Sequence, residues 1–367
     1  MKSFFKALKY LFIFTLIMAV CLELASYAYI HILSPRTQLP SYSWDNVKGA
    51  FWQDINHEIG VWHKPNSKYV HKKTCSEVLN SANSFGMRDK ERSLSSNSTR
   101  VAVLGDSYME GFYIPASKRV SDLLENNLGI EFLNFSVAGI GTLQEYLLYK
   151  SMVTKFDHNA VLIGILPQND LTDNLSSSYS RPCRRPYLSG EYPNFTIEYT
   201  QEQLGSKERD PNKEFLYGFL REFSYTYVAA RNFYHLLKQK NAVPQTAASD
   251  FTQSFYYDFT QRQWDGLKFS IEKLAAAADG KPVLLFTIPS YNDFQAYKDA
   301  TPPLSEKLNK LAKQLNVGYV DLLPEMANSV EDPRKLYLEC DWHFSEYGNY
   351  VSTTILEPAV QNMLNKL

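Results

Sequence analysis

The chain has no surplus of either charge: 38 Lys and Arg stand against 39 Asp and Glu. A nucleic-acid binder needs a basic excess to meet phosphate, so no nucleic-acid partner is expected. Cysteine is scarce, four in 367 residues, and no C-x-x-C pair or Cys/His cluster has zinc spacing. No metal and no cofactor is expected. No internal repeat and no low-complexity tract is present. What remains is long enough to bury a full core, as one large domain carrying a tether and an insertion. Aromatics are plentiful at 14%, with 25 Tyr; an exposed share of them would suit carbohydrate binding.

One apolar run stands apart. Lys2, Lys6 and Lys9 precede Tyr10–Leu22; Glu23 interrupts, and Leu24–Leu33 continues apolar. Residues 1–35 therefore read as a membrane segment outside the fold. A signal anchor would span Tyr10–Leu33, 24 residues and enough to cross a bilayer. A signal peptide would end its cleavage site at Ala28, releasing a secreted body. Glu23 weighs against the anchor, since a central charge costs about 2.5–3.5 kcal/mol. The apolar residues beyond it weigh against the signal peptide. Cys21 follows Val in Met-Ala-Val-Cys, a poor lipobox. In each reading the lysines stay inside and the body is exported, to a bacterial periplasm or the cell exterior.

Residues 36–99 are polar and aperiodic and read as a lead-in that packs on the main domain. From Arg100 short apolar runs alternate with amphipathic segments. Strands are expected at Val101–Leu104, Glu131–Phe135, Ala160–Ile165, Pro282–Ile288 and Val317–Leu322. Helices are expected at Ser117–Asn127, Thr142–Thr154, Ser305–Leu315 and Ser345–Leu364, with Ser345 as N-cap. Such alternation implies a parallel sheet covered on both faces. Residues 171–281 exceed any simple crossover. Ser176–Asp210 reads as loop, Glu214–Lys238 and Gln253–Ala278 as helix.

The chemistry-bearing residues fall at strand ends. The first strand runs into Gly105-Asp106-Ser107, which places Ser107 where ligands meet open α/β sheets. The bland alternative is a Ser that caps the next helix. A serine nucleophile needs a base. His343, in Asp341-Trp342-His343, follows the last strand with a carboxylate two residues away; alternatively it is an ordinary residue of a helix N-terminal turn. Acyl transfer also needs oxyanion donors. Gly139 lies beyond the second strand and Asn169, in Pro167-Gln168-Asn169-Asp170, beyond the third. A turn glycine and an Asx-turn are the plain readings of those two.

Together, Gly105-Asp106-Ser107, Gly139, Asn169-Asp170 and Asp341/His343 resemble the ordered blocks of SGNH hydrolases, also called GDSL esterases. Asn83–Asp89 is similar to the segment before the catalytic domain in membrane-anchored bacterial members. The resemblance covers residue 100 to the C-terminus. It implies an α/β fold, a flavodoxin-like three-layer α/β/α sandwich with a five-stranded parallel sheet. It implies Ser107 as nucleophile, His343 as base, and an oxyanion hole made by the Ser107 N–H, the Gly139 N–H and the Asn169 side chain. The family spacing is Asp-x-x-His. Here Cys340 holds that place and Asp341 stands two residues before His343, as in relatives that acetylate polysaccharides. The α/β-hydrolase motif Gly-x-Ser-x-Gly fails at its last position, which is Met109.

The expected activity is that of a serine esterase or acyltransferase acting on O-acyl groups of an envelope or extracellular glycan. A lipase or lysophospholipase and an inactive glycan-binding scaffold are the alternatives. Arg181, Arg184 and Arg185 follow the Asn169 block and are either a solvated loop or contacts to an anionic substrate. Cys183 and Cys340 both flank the expected site, and a disulfide between them would pin the insertion to the His343 loop.

Overall fold

The uninterrupted apolar runs of the body form strands buried on both faces, as a parallel sheet requires. The structure is a computed structural model that describes residues 2–49, 51, 54–56, 58–175, 185–199, 211–241, 253–298 and 300–367. From the N-terminus come α1 (Lys2–Leu33), the short α2 (Trp44–Lys48) and a hairpin, β1 (Lys68–Lys73) with β2 (Ser76–Ser81). The body begins with β3 (Arg100–Leu104), α3 (Ser107–Glu110), α4 (Val120–Leu128) and β4 (Glu131–Asn134). It continues with α5 (Thr142–Ser151), β5 (Ala160–Ile165) and α6 (Pro167–Asp170). After the insertion helices α7 (Pro211–Phe223) and α8 (Tyr225–Asn241) come α9 (Gln261–Ala277) and β6 (Val283–Thr287). The chain closes with α10 (Pro303–Leu315), β7 (Gly318–Asp321) and α11 (Glu346–Leu364).

The five body strands pair in the order β7-β6-β5-β3-β4, all parallel. Counted along the chain this is 2-1-3-4-5, the flavodoxin-like order, and the chain reverses direction across the sheet at β3. Side chains alternate between two cores with the period of a strand. Ala102, Leu104, Val161 and Ile163 join one core with α5, α9 and α10. Val101, Val103, Leu162 and Phe286 join the other with α4 and α11. The result is an α/β/α sandwich, as expected, and each expected strand falls within a residue or two of the observed one.

Helix boundaries follow from caps. Ser345 Oγ accepts from Gly348 N at 3.1 Å, so α11 starts where the sequence places it. The stretch expected as one helix over Glu214–Lys238 is two, broken at Ser224, whose Oγ accepts from Tyr227 N at 3.2 Å. The helix expected from Gln253 begins only at Gln261. Thr260 and Gln263 form a reciprocal capping box there, Thr260 N donating to Gln263 Oε1 at 2.7 Å and Gln263 N to Thr260 Oγ1 at 3.2 Å. Within the segment expected as loop, Tyr187–Ser189 and Thr196–Glu198 pair as a small antiparallel hairpin.

The lead-in is joined to the body by buried cations. Arg88 donates to the carbonyls of Glu110 (2.6 Å) and Ile114 (2.7 Å), and Arg92 donates to Phe132 O and pairs with Glu125, both at 2.8 Å. Asn83 Oδ1 accepts from Phe85 N and Met87 N, both at 3.0 Å, which shapes the turn before them. At the other end, α1 is long and apolar enough to cross a membrane, and fits an anchor or a signal sequence alike.

The expected Cys183–Cys340 disulfide does not form. Cys340 is bonded to Cys75, with Cα atoms 5.8 Å apart. Cys75 occupies the β1–β2 turn, and it is this hairpin tip that lies against the His343 loop. Spacing along the chain could not reveal a partner 265 residues away. Cys183 lies outside the described residues.

Candidate active site

Ser107 reaches its position through two constraints on the turn after β3. Gly105 sits at φ +154°, and a Cβ there would come within 2.5 Å of Met109 Cγ; one on Gly164 of β5 would meet the same atom at 2.6 Å. The residue that breaks the Gly-x-Ser-x-Gly motif thus fills the space at two glycines, one just after β3 and one within the adjacent β5. Asp106 then caps α3, its Oδ1 accepting from Tyr108 N at 2.9 Å, and Ser107 opens the helix at 8% exposure.

Ser107 Oγ lies 2.9 Å from His343 Nε2. His343 Nδ1 makes a short hydrogen bond with Asp341 Oδ1, and the other carboxylate oxygen accepts from Lys73 Nζ of β1. Four side chains therefore form one hydrogen-bonded line: Lys73, Asp341, His343, Ser107. The Asp-x-His spacing works because Trp342 between them takes φ +66°. That left-handed backbone, which costs a bulky residue about 1–3 kcal/mol, turns the loop back on itself. Leu338 N donates to His343 O at 2.8 Å, and Trp342 N to Leu338 O at 3.0 Å. Trp342 itself is held by two partners: Arg36 lies 4.8 Å from its ring centroid and Tyr291 stacks on it at 5.2 Å. The imidazole is steadied by Tyr113, stacked at 4.1 Å, and by Tyr108, whose hydroxyl donates to Trp342 O at 2.7 Å.

The electrostatics favour an ionised Asp341. Burial pushes its carboxyl up, but the hydrogen bond and charge of His343 and the Lys73 ammonium outweigh it, leaving the group below the usual Asp range. Asp106 goes the other way: burial raises it to about 7 despite the bonds from Tyr108 N and the Asn169 side chain.

Asn169 lies on α6, directly after β5, and its Nδ2 donates to Asp106 Oδ2 at 2.8 Å. An amide nitrogen has a second hydrogen, so this bond orients the group without consuming it. Its neighbour Asp170 is structural. It is buried and accepts from Thr142 N (2.7 Å), Thr142 Oγ1 (2.6 Å) and Leu166 N (2.7 Å). Gly139, beyond β4, has φ +80° with open space where a Cβ would be, so its conformation rather than crowding calls for glycine. Glu110 Oε2 holds the preceding Ala138 N–H at 2.6 Å. The Gly139 carbonyl accepts from Arg185, which also pairs with Asp173 at 2.7 Å. Arg185 is thereby engaged within the protein; Arg181 and Arg184 lie outside the described residues. A cavity of about 270 Å³ opens alongside, lined by Arg36, Tyr108, Gln168, Tyr291, Asn292 and Trp342. Three of these are chain neighbours of Ser107, Asn169 and His343. Among the described residues no group of three His, Cys, Asp or Glu is placed to hold a metal.

Sequence reasoning missed Lys73, Cys75 and Tyr113. All three are brought in by the lead-in and the segment after α3, and none sits in a motif.

No family model matches the chain, and no curated protein matches it by sequence. Solved structures do resemble it. A member of the lipolytic protein G-D-S-L family from Veillonella parvula is 9% identical, over 72% of this chain and 99% of its own, at a TM-score of 0.38. A lipase/acylhydrolase from Enterococcus faecalis is 10% identical, over 72% and 96%, at 0.40. A family two carbohydrate esterase from Clostridium thermocellum, solved with cellohexaose, is 11% identical over 73% and 65%, at 0.36. At such scores the likeness adds no weight to the chain's own sheet order and site geometry.

Proposed function

We propose that the chain is a serine esterase or O-acyltransferase of SGNH/GDSL type. Its substrates are O-acyl groups, foremost O-acetyl, of an envelope or extracellular glycan, and it works outside the cytoplasm beside the membrane that α1 enters. The observation that carries this reading is the 2.9 Å contact between Ser107 Oγ and His343 Nε2, with Asp341 behind the imidazole. A serine hydroxyl is a weak nucleophile without a base in reach. Here Ser107 Oγ attacks the ester carbonyl carbon while His343 Nε2 takes its proton. The carbonyl oxygen becomes an oxyanion, met by the N–H groups of Ser107 and Gly139 and by the Asn169 amide. Collapse expels the alkoxide, which takes the proton back from His343, and leaves an acyl-Ser107. Water or a sugar hydroxyl then attacks that ester, with His343 again as base. Asp341 keeps the Nδ1 proton facing it and stabilises the imidazolium.

The glycan part of the reading is supported by the cavity lined by Tyr108, Gln168 and Trp342, the chain neighbours of Ser107, Asn169 and His343. At about 270 Å³ it falls below the ~300–1,000 Å³ of sites for drug-sized ligands, and the Gln168 and Asn292 amides with aromatic walls suit a sugar ring or short acyl group. The test is a fluorophosphonate probe with p-nitrophenyl esters of graded length. Labelling lost in Ser107→Ala and a preference for acetyl support the proposal. Absent labelling defeats the enzyme reading, and a preference for long chains replaces the glycan with a lipid ester.

A further inference from the structure

Glu23 is the one acidic residue in the apolar run Tyr10–Leu33, and it is fully engaged. Its carboxylate accepts from Ser224 Oγ (2.5 Å), Tyr225 N (2.8 Å) and Thr226 N (3.2 Å), at the junction of α7 and α8. The contact continues along α1. Tyr27 packs on Tyr225 at 5.2 Å, Ile30 is buried against Val228, and Asn232 Nδ2 donates to Ser34 Oγ at 2.7 Å. The tip of the α7–α8 hairpin is therefore fixed to the apolar helix well before that helix ends. Glu23 lies ten residues before Leu33, about 15 Å at the rise of an α-helix.

Around this tip sits an aromatic patch that the protein leaves open. Trp44 packs on Phe219 and Phe223, and Tyr42 on Phe223. Yet Trp44 is 54% and Tyr42 52% exposed. Amphipathic rings of this kind concentrate where a membrane meets water. Between α2, α7 and α8 lies a cavity of about 570 Å³ whose lining includes Glu214 and the cations Lys48, Arg231 and Arg221, the last paired with Glu222 at 2.7 Å. The hairpin, residues 211–241, carries five Lys and Arg against two Glu. Basic residues beside exposed aromatic rings suit a surface where anionic headgroups overlie acyl chains.

We propose that the α7–α8 hairpin docks on the outer face of the bilayer that α1 crosses, with Trp44 and its neighbours at the boundary between acyl chains and headgroups and the Lys48–Arg221–Arg231 cavity on the phosphates of anionic headgroups. This rests on α1 being retained as a membrane helix and goes beyond the esterase reading. It gives Glu23 a role: the charge inside the apolar run is the docking point of the hairpin. It also fixes the height of the catalytic centre. Arg36, three residues past α1 and so within about 11 Å of its end, covers the Trp342 ring beside His343. From the Glu23 docking point the site thus stands at most about 26 Å away, roughly 15 Å of helix and 11 Å of chain, which brings substrate close to the membrane.

The test uses the full-length chain in vesicles of phosphatidylcholine, with and without phosphatidylglycerol, made with ordinary or brominated acyl chains. Tryptophan emission should be quenched by the brominated lipid, and most of that quenching should vanish in Trp44→Phe but survive in Trp342→Phe. The added quenching brought by phosphatidylglycerol should be lost in the Arg221→Gln/Arg231→Gln variant. Equal, weak quenching in wild type and Trp44→Phe overturns the proposal. So does shielding of Trp44 from an aqueous quencher that follows protein density rather than bromination, because a second copy then covers the patch. Fluorophosphonate labelling of Ser107 in the same vesicles reports a folded site. Labelled protein with unquenched Trp44 defeats the docking alone, and quenched but unlabelled protein defeats the esterase reading alone.

Discussion

Lys73→Met removes the outermost member of the hydrogen-bonded line while leaving Ser107, His343 and Asp341 in place. Lys73 is 16% and Asp341 4% exposed. The pair therefore lies between a surface ion pair, worth about 0–1 kcal/mol, and a buried one, whose broken half costs about 3–5 kcal/mol. A loss of about 2 kcal/mol of stability at pH 7 is expected, in the range of a hydrogen bond to a charged group. The pH dependence has a fixed sign. The folded protein holds Asp341 below its ordinary value of 3.8. Its stabilisation is thus present above that value and lost as pH falls through the folded one. The gap between wild type and Lys73→Met should close below the ordinary Asp value. In catalysis, loss of the ammonium removes a positive charge beside the Asp341–His343 pair and so favours the protonated pair, moving the acidic limb of the kcat/KM profile to higher pH. If half of the 2 kcal/mol reappears in the transition state, kcat/KM falls about fivefold. Lys73→Arg should restore most of both. Urea unfolding at two pH values and a pH–rate profile on p-nitrophenyl acetate read these effects. Superimposable profiles and equal urea midpoints at pH 7 would refute a positioning role for Lys73.

Asn169→Ala should lower turnover about 10²–10³-fold if its amide meets the oxyanion. Asp106→Ala should reproduce part of that loss in kcat, and an unaffected kcat in both would remove Asn169 from the hole. Cys75→Ser should cost about 2–5 kcal/mol in urea unfolding and slow probe labelling of Ser107, because the hairpin tip is no longer tied to the His343 loop. Labelling at the wild-type rate would detach the disulfide from the site. Both carboxylate oxygens of Glu145 are buried without a hydrogen-bond partner among the described residues. Burial, then the neighbouring Asp170 and Asp106, push its pKa well above 4.5. A raised folded pKa means stability that is full below the ordinary Glu value and declines as pH rises from it toward the folded value. Glu145→Gln should therefore gain on wild type between pH 5 and pH 8, and a constant gap in urea midpoint would contradict this.

The parallel sheet was legible because strands buried on both faces write themselves as continuous apolar runs, from Val101–Leu104 to Val283–Thr287. The Ser107–His343 encounter was legible for a related reason: topology collects residues that follow parallel strands at one edge, so position at a strand end carries spatial meaning. The lead-in offered no such rule. Lys73 and Cys75 reach the site from an antiparallel hairpin docked by long-range contacts, including the Arg88 bonds to Glu110 and Ile114. Nothing in the local pattern of Lys68–Ser81 announces that docking. The Cys183–Cys340 pairing fails on the same ground: the partner of Cys340 is Cys75, at the tip of that hairpin and 265 residues away. The Asp-x-His spacing is understood only once Trp342 is seen in a left-handed conformation, a backbone state that a bulky aromatic does not advertise.

The most direct test of the account is to trap the acyl-enzyme. The full-length protein is mixed briefly with an activated acetyl ester, quenched in acid and digested, and the peptides are weighed. The account predicts one acetyl group on the peptide bearing Ser107, formed in wild type, absent in Ser107→Ala and strongly reduced in His343→Ala, with the double variant no worse than either alone. Turnover of the ester with Ser107 never acetylated, or acetylation that persists unchanged in His343→Ala, would contradict it.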